Sequence, residues 1–256
     1  FNGVLKLSGG PLQAKPALRA AVIEGRDAQR FPELSLGFTT DGGTLVPLEC
    51  GTMVREERPG ARPSYWRVIP QYGRVWQEAA DGGWSRAAFP LMLVNDTENH
   101  AHQGLATFLY RGKEVSALRV QFVQQTAPWL LSPHTVFWGG VRAAWSPLDP
   151  TAAERARAAA RAELAARLPV KPLDALRAQL PPGTLDGFGG PVLPKWQVAR
   201  AIAKDGVLYL EAEKTPYGPY PYPQEMRFGV RSVTKTVTAA LSLLHLAQVY
   251  GPYVLD

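Results

Sequence analysis

Residues 227–256 read RFGVRSVTKTVTAALSLLHLAQVYGPYVLD, and the reading of this stretch decides how the rest of the chain is understood. Val233 to Val249 contains no Pro or Gly and is rich in Ala and Leu. Gly251 and Pro252 follow, as helix-ending residues do. The helix this predicts is apolar nearly all round: Val237, Ala239, Ala240, Leu241, Leu243, Leu244, Leu246 and Ala247. A helix without a polar face is expected to lie in a core. At about 17 residues, with Lys235 and His245 inside it, it is a poor membrane span.

At the start of that helix stands Ser232-Val233-Thr234-Lys235, a Ser-x-x-Lys motif. Residues three apart share a helix face, so the Lys235 ammonium can reach the Ser232 hydroxyl. A serine hydroxyl is a weak nucleophile until a base takes its proton. A lysine held in a buried site gives up its own proton more readily and can serve as that base. Free backbone N–H groups at a helix N-terminus favour the negative charge that develops in acyl transfer. The bland reading of the same tetrapeptide is a capping Ser and a Lys reaching to the surface.

The context carries more than the tetrapeptide. Phe228, Arg231, Ser232, Lys235, Thr236, then Ala-Ala-Leu, Leu-Ala-Gln and Leu255-Asp256, resemble the active-site helix of the penicillin-recognising serine hydrolases. The resemblance is to the class C β-lactamase-like branch, which includes esterases and D-amino-acid peptidases. It implies Ser232 as nucleophile and Lys235 as base, with no metal or organic cofactor. It also implies two further elements, Tyr-x-Asn/Ser and Lys/His-Thr/Ser-Gly, which do not occur after Lys235 in this sequence. The expectation is that they lie in the remainder of the hydrolase domain, in the same polypeptide or in a second chain. Ester, peptide and β-lactam substrates all remain open, whether small molecule or polymer.

Upstream, residues 1–147 read as β: short apolar runs alternate with turn clusters. Leu34 to Phe38 is followed by an Asp41-Gly42-Gly43 turn. Tyr65–Ile69 and Arg74–Gln77 flank a Pro70–Gly73 turn, and Pro90 breaks a strand from Phe89 to Val94. Leu105–Tyr110 and Val115–Val123 form a hairpin about Arg111-Gly112-Lys113, and Val136–Trp138 is a further strand. This spacing predicts an antiparallel β sandwich or jelly-roll-like domain. Trp66, Trp76, Trp84, Trp129, Trp138 and Trp145 fall in this half. Each is either a core ring or a surface for carbohydrate or another polymer.

Residues 148–182 read as a helical linker. Thr151 and Glu154 form a capping box for a helix to Leu168, and a second helix runs from Pro172 to near Leu180. Residues 183–256 read as the first segment of an α/β β-lactamase-like domain. There, Trp196–Ala203 and Val207–Ala212 pair across Lys204-Asp205-Gly206. The Tyr- and Pro-rich stretch to Met226 lacks a regular pattern. Its Tyr217, Tyr220 and Tyr222 either line the site or pack on the first domain. The fold class expected is thus α+β overall.

The other bounds are modest. A net charge of +6, spread thinly over the chain, with no zinc-finger spacing, points away from nucleic acid. No stretch is long and apolar enough to span a membrane. One cysteine, Cys50, excludes an internal disulfide framework. A chain opening on Phe1 without a leader is expected of an exported protein, periplasmic or secreted, or of a trimmed one. Asn95-Asp96-Thr97 fits a glycosylation sequon. His100 and His102 stand in a polar cluster expected to be a solvated loop that holds no metal. The reading from another class is a non-catalytic binding or structural module with a degenerate hydrolase segment.

Overall fold

A computed structural model describes the chain except for residues 19–21, 58–61, 96–99, 125–134, 191–196, 212–213, 216–217, 228, 231 and 256. The fold is mixed α/β and dominated by one large antiparallel sheet. Its first strands are β1 (Gly3–Pro11) and β2 (Gln13–Lys15); β3 (Val22–Ile23) and β4 (Arg26–Asp27) form a separate small ribbon. Next come β5 (Arg30–Asp41), β6 (Thr44–Pro47), β7 (Arg67–Pro70) and β8 (Gly73–Gln77). Then follow β9 (Ser85–Val94), β10 (Ala101–Arg111), β11 (Glu114–Val115), β12 (Leu118–Gln124), β13 (Val136–Val141) and β14 (Ala143–Ser146).

The two ends of this sheet meet. Val4–Leu7 of β1 pairs with Ala143–Ser146 of β14, and Gln13–Lys15 of β2 pairs with Val136–Trp138 of β13. Single residues, Leu12 and Arg142, separate β1 from β2 and β13 from β14, so each pair is one bent strand. Joining β7 to β8 in the same way, and leaving the two-residue β11 aside, reduces the twelve strands to eight that close a ring. Each is antiparallel to its neighbours in chain order. This corrects the sandwich or jelly roll: a sheet that turns back onto its own first strand needs no second layer.

Period-2 alternation puts one set of side chains inside the barrel. Leu34, Leu36 and Phe38 of β5, Phe89, Leu91 and Leu93 of β9, and Val120 and Phe122 of β12 fill it, with Trp66 and Phe137. Trp66 is buried and its indole N–H donates to the Ala28 carbonyl at 2.8 Å, so this tryptophan is a core ring.

Two further expectations change. The segment from Pro70 to Gly73 is a bend within one strand, because β7 and β8 both pair with β9. Pro90 does not break β9. A strand residue lends its N–H to one neighbour only, so a proline removes a single donor. The Pro90 carbonyl still accepts from the Gln71 N–H at 3.0 Å.

Helix α1 (Pro150–Ala166) starts two residues earlier than the capping box implied. Asp149 is its cap, accepting from the backbone N–H of Thr151 at 3.0 Å and of Ala152 at 3.3 Å, with Pro150 at the first helical position. Ala160 of α1 lies buried with Val46 and Tyr72 on the outer wall of the barrel. A three-stranded sheet follows: β15 (Val170–Pro172), β16 (Arg200–Lys204) and β17 (Val207–Glu211), ordered β15-β17-β16. The β16–β17 turn is the Asp-Gly hairpin read from the sequence; Asp205 and Gly206 have φ of 50° and 74°. Short helix α2 (Leu173–Arg177) buries Leu173 and Leu176 against Tyr209 on one face of this sheet. The opposite face, with Val170, Leu208 and Leu210, borders an open cleft of about 810 Å³ closed on its far side by Pro223 and Met226. The chain continues through the two-strand ribbon β18 (Lys214–Thr215) and β19 (Gly218–Pro219) to helix α3 (Val233–Tyr250).

Candidate active site

Ser232 directly precedes α3 with φ −69° and ψ −12°, a helical conformation, and its side chain makes no capping hydrogen bond. The hydroxyl is therefore not occupied by the helix end. The Lys235 ammonium lies one turn along the same face, and its Nζ donates to Ser232 Oγ at 3.4 Å. The backbone follows the same turn, with the Lys235 N–H bonded to the Ser232 carbonyl at 3.0 Å. The i, i+3 spacing thus delivers the contact expected of it. At 3.4 Å the contact is long for a strong hydrogen bond, and both residues are exposed.

The helix itself departs from expectation. It is not buried: none of its residues is, and Leu241, Leu244 and Val249 are 61%, 54% and 58% exposed. Its sequence demands a partner layer, and among the described residues the main neighbour is the 3-10 turn Pro252–Leu255. Among the described residues, no helix is long and apolar enough to cross a membrane.

The chain enters α3 from a strap, residues 220–227, laid across the outside of the barrel. Tyr220 donates its hydroxyl to the Gly104 carbonyl of β10 at 2.8 Å, and Tyr222 donates to the Ala88 carbonyl of β9 at 3.1 Å. Of the two roles open to these tyrosines, packing on the first domain is the one the structure gives them; Tyr217 lies outside the described residues. Arg227 donates from Nε to Gln71 Oε1 at 3.0 Å, and the Gln103 amide donates to the Arg227 carbonyl. β9 is buried on both faces from Ala87 to Val94, with Tyr222 of the strap bonded at Ala88 and Met92 and Val94 packed with Ile69 and Ala101.

A charged cluster fastens the strap to α1. Arg167, just past the end of α1, pairs with Glu225 and donates to Glu163 at 2.8 Å. Glu163 also accepts from the Tyr72 hydroxyl at 2.7 Å, and the Arg167 guanidinium lies over the Tyr72 ring at 5.4 Å. Burial works to raise the Glu163 carboxyl, but the bonds from Arg167 and Tyr72 outweigh it and hold it below its usual range. The bond to Glu225, more than that to Glu163, raises the Arg167 guanidinium further above its already high value. Burial, with the neighbouring carboxylates, pushes the Cys50 thiol beside Tyr72 up to about 11. Sequence reading missed this cluster: its members lie as far apart as Tyr72 and Glu225, and no local pattern joins them.

His100 and His102, expected on a solvated polar loop, are instead buried in the barrel interior. Both rings are buried, 5.9 Å apart and within 21° of parallel, and His102 stands edge-on to Trp66 and Phe137. The signal was present: His102 is in phase with Ala106 and Phe108, which also point inward. Neither His102 ring nitrogen has a hydrogen-bond partner among the described residues. Burial, aided by His100, drives the imidazole down to about 3, so it is neutral at ordinary pH. No group of three or more His, Cys, Asp or Glu suited to a metal occurs among the described residues; Asp96 and Glu98 lie outside them. Of the remaining tryptophans, Trp76 and Trp138 are the two most exposed large rings in the barrel, and Trp129 lies outside the described residues.

No family model, curated protein or solved structure matches the chain.

Proposed function

We propose that this chain carries the nucleophile segment of a Ser-x-x-Lys serine hydrolase acting on an ester or amide bond. The observation that carries the reading is the Lys235 Nζ at 3.4 Å from a Ser232 Oγ that caps nothing. In its unprotonated form Lys235 takes the proton as Ser232 Oγ bonds to the carbonyl carbon. Collapse of the tetrahedral species expels the alcohol or amine with a proton, and water then hydrolyses the acyl-serine. The Ser232 N–H at the start of α3 supplies one oxyanion donor.

The exposed faces of the small domain support the same reading. Helix α3 presents exposed apolar side chains, and the β15–β17–β16 sheet turns Val170, Leu208 and Leu210 to an open cleft. In the working enzyme they pack against further polypeptide, from the same chain or another, which supplies the partners of the site.

A second reading rests on the exposure of Ser232 and Lys235: a binding module whose hydrolase segment no longer turns over. One experiment separates the two. In the full-length protein, a fluorophosphonate or a β-lactam is expected to label Ser232, located by peptide mass spectrometry. Ser232→Ala should abolish labelling, and Lys235→Ala should slow it by about 10²-fold or more. Labelling at another serine, or none, leaves the binding module.

A further inference from the structure

The barrel is bonded at several points to the strap that ends five residues before Ser232. That arrangement is unusual for a separate binding module, which needs only a linker to the rest of its protein. Here the attachments are of three kinds, spread over both sides of the strap. Two tyrosine hydroxyls reach strand carbonyls, at Gly104 and Ala88. The buried Glu225 carboxylate pairs with Arg167 behind α1. The main chain itself is held at Arg227, whose carbonyl accepts from Gln103 while its guanidinium bonds Gln71. Met226 between them is buried.

Each of these partners is supplied by the barrel or by the helix lying on it. Gln103 is itself buried, and its amide nitrogen also lies 3.0 Å from the Met92 sulfur on β9. Its rotamer is thereby restricted before the strap arrives. Arg167 is similarly fixed by Glu163 and the Tyr72 ring. A surface built in advance in this way fixes where the strap ends.

We propose that the barrel is a positioning device for the nucleophile. The strap, locked at Glu225 by Arg167 and at Arg227 by Gln103, sets the place and angle at which the chain enters α3, and hence where Ser232 is presented. Gln103, Arg167 and Glu225 are positioning residues in this scheme. Its catalytic consequence rests on the hydrolase reading above; its structural half does not. A misplacement of about 1 Å at a reacting group costs about 10²-fold in rate, so a loosened strap is felt at Ser232 without any change in its chemistry.

The test uses the full-length protein with Gln103→Leu and Arg167→Met, and Arg167→Lys as the conservative variant. Amide hydrogen exchange, read by mass spectrometry, is expected to rise at least about tenfold over residues 225–235 in the first two variants, while β9 and β10 keep their protection. Fluorophosphonate labelling of Ser232 is expected to slow by about 10- to 100-fold, with the pH profile of labelling unmoved and most of the rate recovered in Arg167→Lys. A strap whose exchange is unchanged overturns the clamp. Raised exchange with wild-type labelling rates overturns the positioning role. Absence of labelling in the unaltered protein removes the hydrolase reading and with it the catalytic consequence; exchange alone then decides the clamp.

Discussion

The Tyr72 hydroxyl donates to the Glu163 carboxylate at 2.7 Å, joining the bend in the β7–β8 strand to the last turns of α1. The bond is largely shielded, since Tyr72 is only 6% exposed. Its removal in Tyr72→Phe leaves the ring in place and strands no buried donor. We expect a loss of about 1 kcal/mol, near the upper end if Glu163 is left short of a partner. Urea unfolding at constant slope measures it. An unchanged midpoint would mean that water replaces the phenol without loss.

The buried His102 makes acid stability a property of the barrel. Its folded-state value of about 3 lies below the ordinary 6.5. Between those values the unfolded chain binds a proton there and the folded chain does not. The fold therefore keeps its full stability above pH 6.5 and loses it progressively as pH falls towards 3, by at most about 1.4 kcal/mol per pH unit from this group. His102→Phe should flatten that part of the stability curve. The same slope in the variant would place the acid sensitivity elsewhere.

Close approach of two strands makes Gly73 irreplaceable by a larger residue. A Cβ there would fall 2.2 Å from the Ala88 carbonyl oxygen and 2.6 Å from the Phe89 Cβ. Neither neighbour is the end of a flexible side chain. Gly73→Ala should cost about 2 to 3 kcal/mol, the range of an overpacked core. Thermal melting checks it, and Gly112→Ala is the control: a Cβ at Gly112 meets nothing within 4 Å, so the cost is only that of its φ of +59°.

The bare face of α3 should make the 256-residue chain self-associate. Leu241 and Leu244 are more than half exposed on a helix with no polar stripe. Sedimentation should find concentration-dependent association that the double change Leu241→Gln and Leu244→Gln suppresses. The same changes should shift unfolding of the barrel by less than about 0.5 kcal/mol, because both side chains are more than half exposed. A monomer at all concentrations would indicate that the face is covered within the chain.

Local features of this fold were legible in the sequence. Alternation marked β5, β10 and β12, and the Asp205-Gly206 dipeptide marked the β16–β17 hairpin. The Ser232–Lys235 contact followed from helical spacing alone. What escaped was long-range. Nothing near Val4 announces its pairing with Ser146, so local pattern does not distinguish a closed barrel from a two-layer sandwich. Pro90 removes a donor that only one neighbouring strand could have used, so the strand continues through it. The apolar helix is expected in a core, yet none of its residues is buried, because composition states a need for cover without saying where the cover comes from. The Arg167–Glu225 clamp required the barrel wall and α1 to be placed first.

The pairing of β1 with β14 also imposes an order of events during synthesis. The first strand leaves the ribosome long before its last partner has been made, and it keeps an open edge until residues 143–146 emerge. Only then does the ring shut. The strap and Ser232 are translated later still, so they arrive at a wall that is already complete. A nascent chain halted before residue 143 would hold two unzipped edges and be exposed to pairing with its neighbours on the same message. One halted after 146 would carry a finished barrel awaiting its nucleophile.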